Sequence, residues 1–180
     1  MKKILKLVAA LVVTASLAHA QLGSSSGTTT VSVTVGAEAA LTAITGTTTL
    51  TSTGTNFTNY TGSTSLTYYV RTTQSGGSGS ITLKVTSDFS PVNGPSVTTP
   101  PSTGDKLAYT CTVSGAGTAC TGSVTSSTSS STNVVTFGAG AHTVTFPGGD
   151  TATNAWTLTN DPKYYTGSYS ATVTYTISAS

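Results

Sequence analysis

Cys111 and Cys120 are the only cysteines in this 180-residue chain, and His19 and His142 are its only histidines. Two thiols and one nearby histidine cannot complete a four-ligand zinc site. The pair also lacks the C-x-x-C spacing of a redox motif. The two cysteines are therefore expected to form a disulfide. A catalytic site needs a positioned nucleophile, acid, base or metal. His142 has no cysteine beside it, and no serine lies in the strand–elbow–helix context of a hydrolase nucleophile. The carboxylates Glu38, Asp88, Asp105, Asp150 and Asp161 are scattered. Asp150 and Asp161 flank the Trp156 segment and so fall at opposite ends of it, which does not suggest a glycosidase pair. No D-x-D-x-D run offers a calcium loop. Gly76 to Gly79 precedes no helix and no G-K-[ST], so it reads as a turn, not a phosphate loop. The expectation is a non-enzyme with no cofactor and no metal. One binding chemistry remains: Tyr60, Tyr68, Tyr69, Tyr164, Tyr165 and Trp156 could stack sugars if they share an exposed face. That defines the alternative of a monomeric carbohydrate-binding or adhesive module with a polysaccharide partner.

The first twenty residues read as a targeting segment. Lys2, Lys3 and Lys6 form a positive start, Leu7 to Leu17 an apolar stretch, and Ala18-His19-Ala20 a cleavage site. Cleavage between Ala20 and Gln21 removes this helical signal peptide and directs the chain through the periplasm to the cell surface or beyond. It also removes three lysines. The formal charge of +2 for the whole chain then becomes −1, with Arg71, Lys84, Lys106 and Lys163 against five carboxylates. No basic patch remains to hold nucleic acid.

After this segment the hydrophobic period is two. Val31, Val33 and Val35 alternate, with a weaker continuation through Ala37, Ala39 and Leu41. Leu66, Tyr68 and Val70 define one strand, and Ile81, Leu83 and Val85 another. The glycines between them suggest a hairpin. Prolines and glycines from Pro91 to Gly104 mark a long loop. Leu107, Tyr109, Cys111 and Val113 resume the alternation, and a Gly115-Ala116-Gly117 turn brings the Cys120 arm back as a stapled hairpin. Val135 with Phe137, then Val144 with Phe146, suggest two short strands. Trp156 and Leu158 sit on a further strand, and Tyr169, Ala171, Val173, Tyr175 and Ile177 on the last. Many short strands with one apolar face each require two packed sheets. The Thr-rich opposite face suits a pleated surface.

The last strand carries the most specific pattern. Tyr169, after Gly167 and before the alternation, matches the tyrosine corner of immunoglobulin-like sandwiches. The same stretch resembles chaperone–usher pilins and spore coat U-type subunits, in which a glycine near the end of the domain precedes a long alternating strand. Gly167, Tyr169, Val173, Tyr175 and Ile177 would form this assembly strand. The chain departs from the pilin pattern at Ala179, where a tyrosine is usual, and in its mid-chain cysteines. The resemblance implies a single immunoglobulin-like, pilin-like antiparallel β-sandwich over residues 37–180. It makes residues 21–36 an N-terminal extension, with the alternative of a first strand. It implies a structural subunit of an extracellular fibre, pilus or coat that self-associates, with a periplasmic chaperone and an outer-membrane usher as partners. Val31, Val33 and Val35 would be a donor strand, filling the groove of a neighbouring subunit.

Overall fold

The computed structural model describes residues 27–180. The expected signal peptide and the Ala20–Gln21 cleavage point lie outside the described residues. Residues 27–37 carry no strand. Nine strands follow: β1 (Glu38–Ile44), β2 (Tyr60–Arg71), β3 (Gly79–Ser90), β4 (Leu107–Ser114), β5 (Thr118–Ala119), β6 (Val124–Thr125), β7 (Thr132–Phe137), β8 (Asp150–Leu158) and β9 (Ser170–Ala179). The described residues contain no helix. All pairings are antiparallel, in two sheets ordered β1-β2-β8-β4-β6 and β5-β7-β3-β9. The described residues thus form an all-β, two-sheet sandwich.

Alternation places the core between the sheets. Leu66, Tyr68 and Val70 of β2 and Trp156 and Leu158 of β8 face Ile81, Leu83 and Val85 of β3 and Phe137 of β7. Val134 and Val135 are both buried, which strict alternation forbids. The ladder resolves this with a bulge, because Ile81 pairs with Val135 and Thr82 with Asn133, leaving Val134 as the extra residue. The outward faces carry Thr and Ser in rows, such as Ser65 beside Thr153 beside Thr112.

Three expectations need correction. The Leu66 and Ile81 strands do not form a hairpin, because β2 and β3 belong to different sheets. Residues 72–78 are long enough to cross the roughly 10 Å between facing sheets, and they continue the chain on the other side of the core. The cysteine arms are not a hairpin either. β4 pairs with β8, whereas β5 pairs with β7 in the opposite sheet. The Cys111–Cys120 disulfide, with Cα atoms 5.4 Å apart, therefore ties one sheet to the other. Val144 and Phe146 form no strand and are exposed on the loop between β7 and β8. Only His142 in that loop makes an isolated bridge, to Arg71.

Two carboxylates, Asp150 buried and Asp88 half-buried, fasten the loops. Asp150 Oδ2 accepts from Ala116 N–H at 3.1 Å and from the Thr143 hydroxyl at 2.8 Å, joining two loops at the start of β8. Gly115 has φ +114°, and a Cβ there would collide with Asp150 Oδ1. Asp88 organises the long loop after β3. Its carboxylate accepts from Phe89 N–H (2.8 Å), the Ser96 hydroxyl (2.7 Å), Val97 N–H (2.8 Å) and Thr98 N–H (2.9 Å). Burial pushes the Asp88 carboxyl up, but these four bonds outweigh it and bring the group down to about 2.

The disulfide closes a short loop, so loop-closure entropy gives it about 2.5 kcal/mol. Cys111→Ser with Cys120→Ser should lower unfolding free energy by that amount in denaturant titration, with the β-sheet circular dichroism unchanged. The lowered Asp88 value stabilises the fold above the unfolded value of 3.8, and that contribution is lost as pH falls toward about 2. Asp88→Ala should cost about 2–3 kcal/mol at pH 7. The gap to the parent protein should narrow progressively in thermal melts below pH 4.

Candidate functional site

The two sheets do not close along one edge. β9 is the outermost strand of its sheet, paired to β3 alone. Facing it across the core, the chain after β1 runs beside β2 without a regular ladder. Thr45 N–H donates to Ser65 O at 3.0 Å, and Thr51 bridges Thr61. The Thr48 and Thr64 hydroxyls lie 2.7 Å apart. Between this segment and β9 lies a groove of about 1210 Å³. Ile44 and Leu50 stand on one wall and Ala171, Val173 and Tyr175 on the other, with Leu107, Trp156 and Leu158 between them. The inward residues of β9 are only half-buried along the whole strand, unlike those of β3. A sheet edge with unpaired N–H and C=O groups beside an apolar trough is a template for a further strand.

The groove floor has one polar spot. Trp156 Nε1 donates to Thr64 Oγ1 at 2.8 Å. Thr64 Oγ1 also faces Tyr175 Oη, which is buried with no hydrogen-bond partner. Burial pushes the Tyr175 hydroxyl up to about 12, so it is a neutral donor and acceptor. Asn154, fully buried on β8 between Thr64 and Cys111, likewise leaves both amide atoms unpaired.

Tyr169 closes the groove mouth. Its hydroxyl donates to Tyr165 O at 2.8 Å and lies 3.3 Å from Asn93 O. The ring covers Gly94, where any Cβ would collide with it. The expected return of this hydroxyl to nearby backbone is present. Gly167 lies in the loop before β9 and is exposed, and Val173, Tyr175 and Ile177 lie on β9 facing inward. Val31, Val33 and Val35 are exposed and outside any strand. Cys111 and Cys120 are bonded and distant in register from the β9 edge. His142 is exposed, its Nδ1 2.8 Å from Gly140 O.

The aromatics do not make one exposed platform. Trp156 is 5% exposed and Tyr68 is fully buried, Tyr68 donating to Ala116 O. Tyr165 alone of the six is exposed. Sequence reasoning did not find the wall from Ile44 to Leu50, because Gly46 and a run of threonines hide its role. Nor did it find the acidic pair beside the groove. Asp105 and Asp161 face each other there. Burial, then the neighbouring Asp161 carboxylate, pushes Asp105 above its ordinary value. Asp161 is held low, chiefly by the Ser102 hydroxyl and Lys163 N–H. Among the described residues, no group of three or more acidic, histidine or cysteine side chains could hold a metal.

No protein-family model, curated protein or solved structure matches this chain.

A raised Asp105 value means that its protonated form favours the fold. That contribution is present below 3.8 and is lost as pH rises through the raised value. Asp105→Asn offers an amide donor to Asp161 Oδ2, which is buried without a partner. The variant should melt at a higher temperature than the parent at pH 7. The difference should vanish in thermal melts near pH 3.

Proposed function

We propose that the protein is a secreted structural subunit of an extracellular fibre, pilus or coat, assembled by donor-strand complementation. The observation that carries this reading is the open groove beside β9. In an immunoglobulin-like sandwich the sheets are ABED and CFG. The order β1-β2-β8-β4 corresponds to A-B-E-D, and β3-β9 to C-F. The place of G, beside F, is the place of the groove among the described residues. A segment from a second copy that entered there would pair its backbone with β9 and bury alternate side chains. Val31, Val33 and Val35 supply such alternation on a part of the chain that forms no strand of its own. A contact of this kind does not close on itself and so extends into a filament.

The Tyr169 hydroxyl bond supports the immunoglobulin-like assignment, and the disulfide supports an oxidising compartment. A periplasmic chaperone and an outer-membrane usher are partners of this same reading, since an unfilled groove needs protection before assembly. The polysaccharide alternative expects Trp156 to offer a ring face, and its ring is instead enclosed and hydrogen-bonded.

Removing residues 21–36 from the mature protein should leave a chain that no longer forms multimers in light scattering. A synthetic peptide of residues 27–36 added to it should bind and raise its melting temperature while the protein stays monomeric. Undiminished multimers, or a peptide with no effect on melting, would overturn the donor assignment.

A further inference from the structure

We infer that the end of the sandwich where β2 finishes carries a binding site for a neutral polysaccharide, built from Phe146, Tyr69, Glu38, Arg71, His142 and Gln74. The site stands apart from the β9 groove and needs no second copy of the chain.

These side chains line a cleft of about 960 Å³ between the start of β1, the end of β2 and the loop before β8. The sheet register sets them in two rows. Glu38 pairs with Arg71 across β1 and β2, and Arg71 bridges His142 on its other side. Residues opposite one another on neighbouring strands point the same way, with Cβ atoms about 5 Å apart. The result is a row of carboxylate, guanidinium and imidazole. Two residues along, Ala40 pairs with Tyr69, and the Tyr69 ring packs against Phe146 with centroids 5.7 Å apart. This apolar row lies about 7 Å from the polar one. Ala40 carries too little side chain to fill the floor between them.

The loop that presents Phe146 is tied down. Thr143 N–H donates to Val70 O at 2.9 Å. The Thr143 hydroxyl accepts from Val70 N–H at 3.0 Å and donates to Asp150 at 2.8 Å. Gly140 N–H donates to Thr73 O at 2.8 Å, and Gly148 N–H to the Tyr69 hydroxyl at 3.0 Å. Phe146 nevertheless stays 84% exposed. A ring fixed in solvent by its own loop can stack the apolar face of a sugar at little ordering cost.

The polar row selects the ligand. Arg71 Nη2 donates to Glu38 Oε2 at 3.0 Å, and Arg71 Nε donates to Gly36 O at 2.8 Å. The two charges cancel, while the guanidinium keeps spare N–H donors and the carboxylate spare lone pairs. Adjacent donors and acceptors suit the neighbouring hydroxyls of a sugar, each of which both donates and accepts. His142 Nδ1 donates to Gly140 O at 2.8 Å, which leaves Nε2 of the neutral ring as an acceptor. Gln74, whose Oε1 lies over Gly140, adds an amide. An anionic sugar would meet the Glu38 carboxylate. An anionic lipid surface would need free cations beside Phe146, and Arg71 is already paired. An exposed ring beside mutually neutralised donors and acceptors fits a neutral pyranose chain.

Titration calorimetry of the full mature protein against cellohexaose, maltohexaose and chitohexaose tests this. At least one should bind, and Phe146→Ala should weaken it by about tenfold or more. Glu38→Gln leaves the Arg71 charge uncancelled. That variant should lose about tenfold for the neutral sugar and gain binding to an alginate hexamer that the parent does not take. Both positions are exposed, so both variants should keep the parent circular dichroism. No binding of any neutral hexasaccharide would overturn the proposal. Affinity unchanged in both variants would place the sugar elsewhere and overturn this site. A parent protein that prefers alginate would overturn the selection for a neutral chain. Binding to phosphatidylcholine vesicles in place of sugars, lost in Phe146→Ala, would give the cleft to a lipid surface and overturn it. Neither substitution touches β9, so these outcomes are read separately from multimer formation.

Discussion

The free edge of β9 governs the organisation of this molecule. Backbone N–H and C=O groups need partners, and a sheet that stops leaves a row of them unpaired. Most sandwiches hide that edge behind a further strand or blunt it with charge. Here β9 carries Thr172, Thr174, Thr176 and Ser178 outward and Ala171, Val173, Tyr175 and Ile177 half-covered inward, with no charge on the strand. Neither like-charge repulsion nor proline discourages an incoming strand. The opposite wall is equally unfinished, because the chain after Ile44 follows β2 through scattered hydroxyl and backbone bonds. Both sheets therefore stop short at the same side, and Trp156, Leu158 and Leu107 are covered by neither edge alone.

Stability is concentrated away from that side. The disulfide joins the sheets at the far edge, between β4 and β5. Asp150 fastens the turn after β4 and the loop before β8 at one pole. Asp88 fastens the long loop at the other. Tyr109 donates across the core to the Thr132 hydroxyl and lies 2.9 Å from Asn133 O. This arrangement lets one edge remain open without loosening the whole sandwich, since loops and sheets are tied independently of β9. The outward faces contribute differently. Their Thr rows satisfy the pleat through β-branching and mutual hydroxyl contacts, such as Thr86 with Thr174 at 2.9 Å, without charged pairs. Arg71 with Glu38 is the single salt bridge among the described residues.

Period-two patterning made the inward faces legible. Leu66, Tyr68 and Val70, Ile81, Leu83 and Val85, and Trp156 with Leu158 all face the core as their spacing predicts. What it left open was which strand lies beside which. Alternation reports a face, and β2 and β3 share the pattern because they look at each other across the core, not because they share hydrogen bonds. The same ambiguity made the Cys120 arm look like the return of a hairpin. Val144 and Phe146 fail for another reason. Their alternation is real, but the loop meets β2 only at residues 141–143, so no ladder extends through Val144 and Phe146 and both stay exposed. Exposed alternation in a loop is a surface signal, and period alone cannot separate it from a strand. Asp88, Asp105 and Asp161 were legible only as scattered charges, since their roles depend on loops that bring distant backbone to them.

The half-buried row on β9 also bears on why a tyrosine stands among its inward residues. An inward residue on an edge strand must pack well enough to hold the strand, yet leave room for a neighbour. Small residues at every inward site would give a groove without walls, and large ones would fill it. β9 carries both, with Ala171 and Val173 small beside Tyr175 large. The tyrosine reaches the core with its ring, which anchors β9 over Thr64 and Trp156, and keeps its hydroxyl at the groove floor. A phenylalanine would anchor equally well, and burying an unpaired hydroxyl costs free energy. Thr64 Oγ1, which also accepts from Trp156 Nε1, faces this hydroxyl and offsets that cost. The tyrosine therefore ties β9 to the β2 and β8 face of the core, while the outer edge of the strand stays unpaired among the described residues.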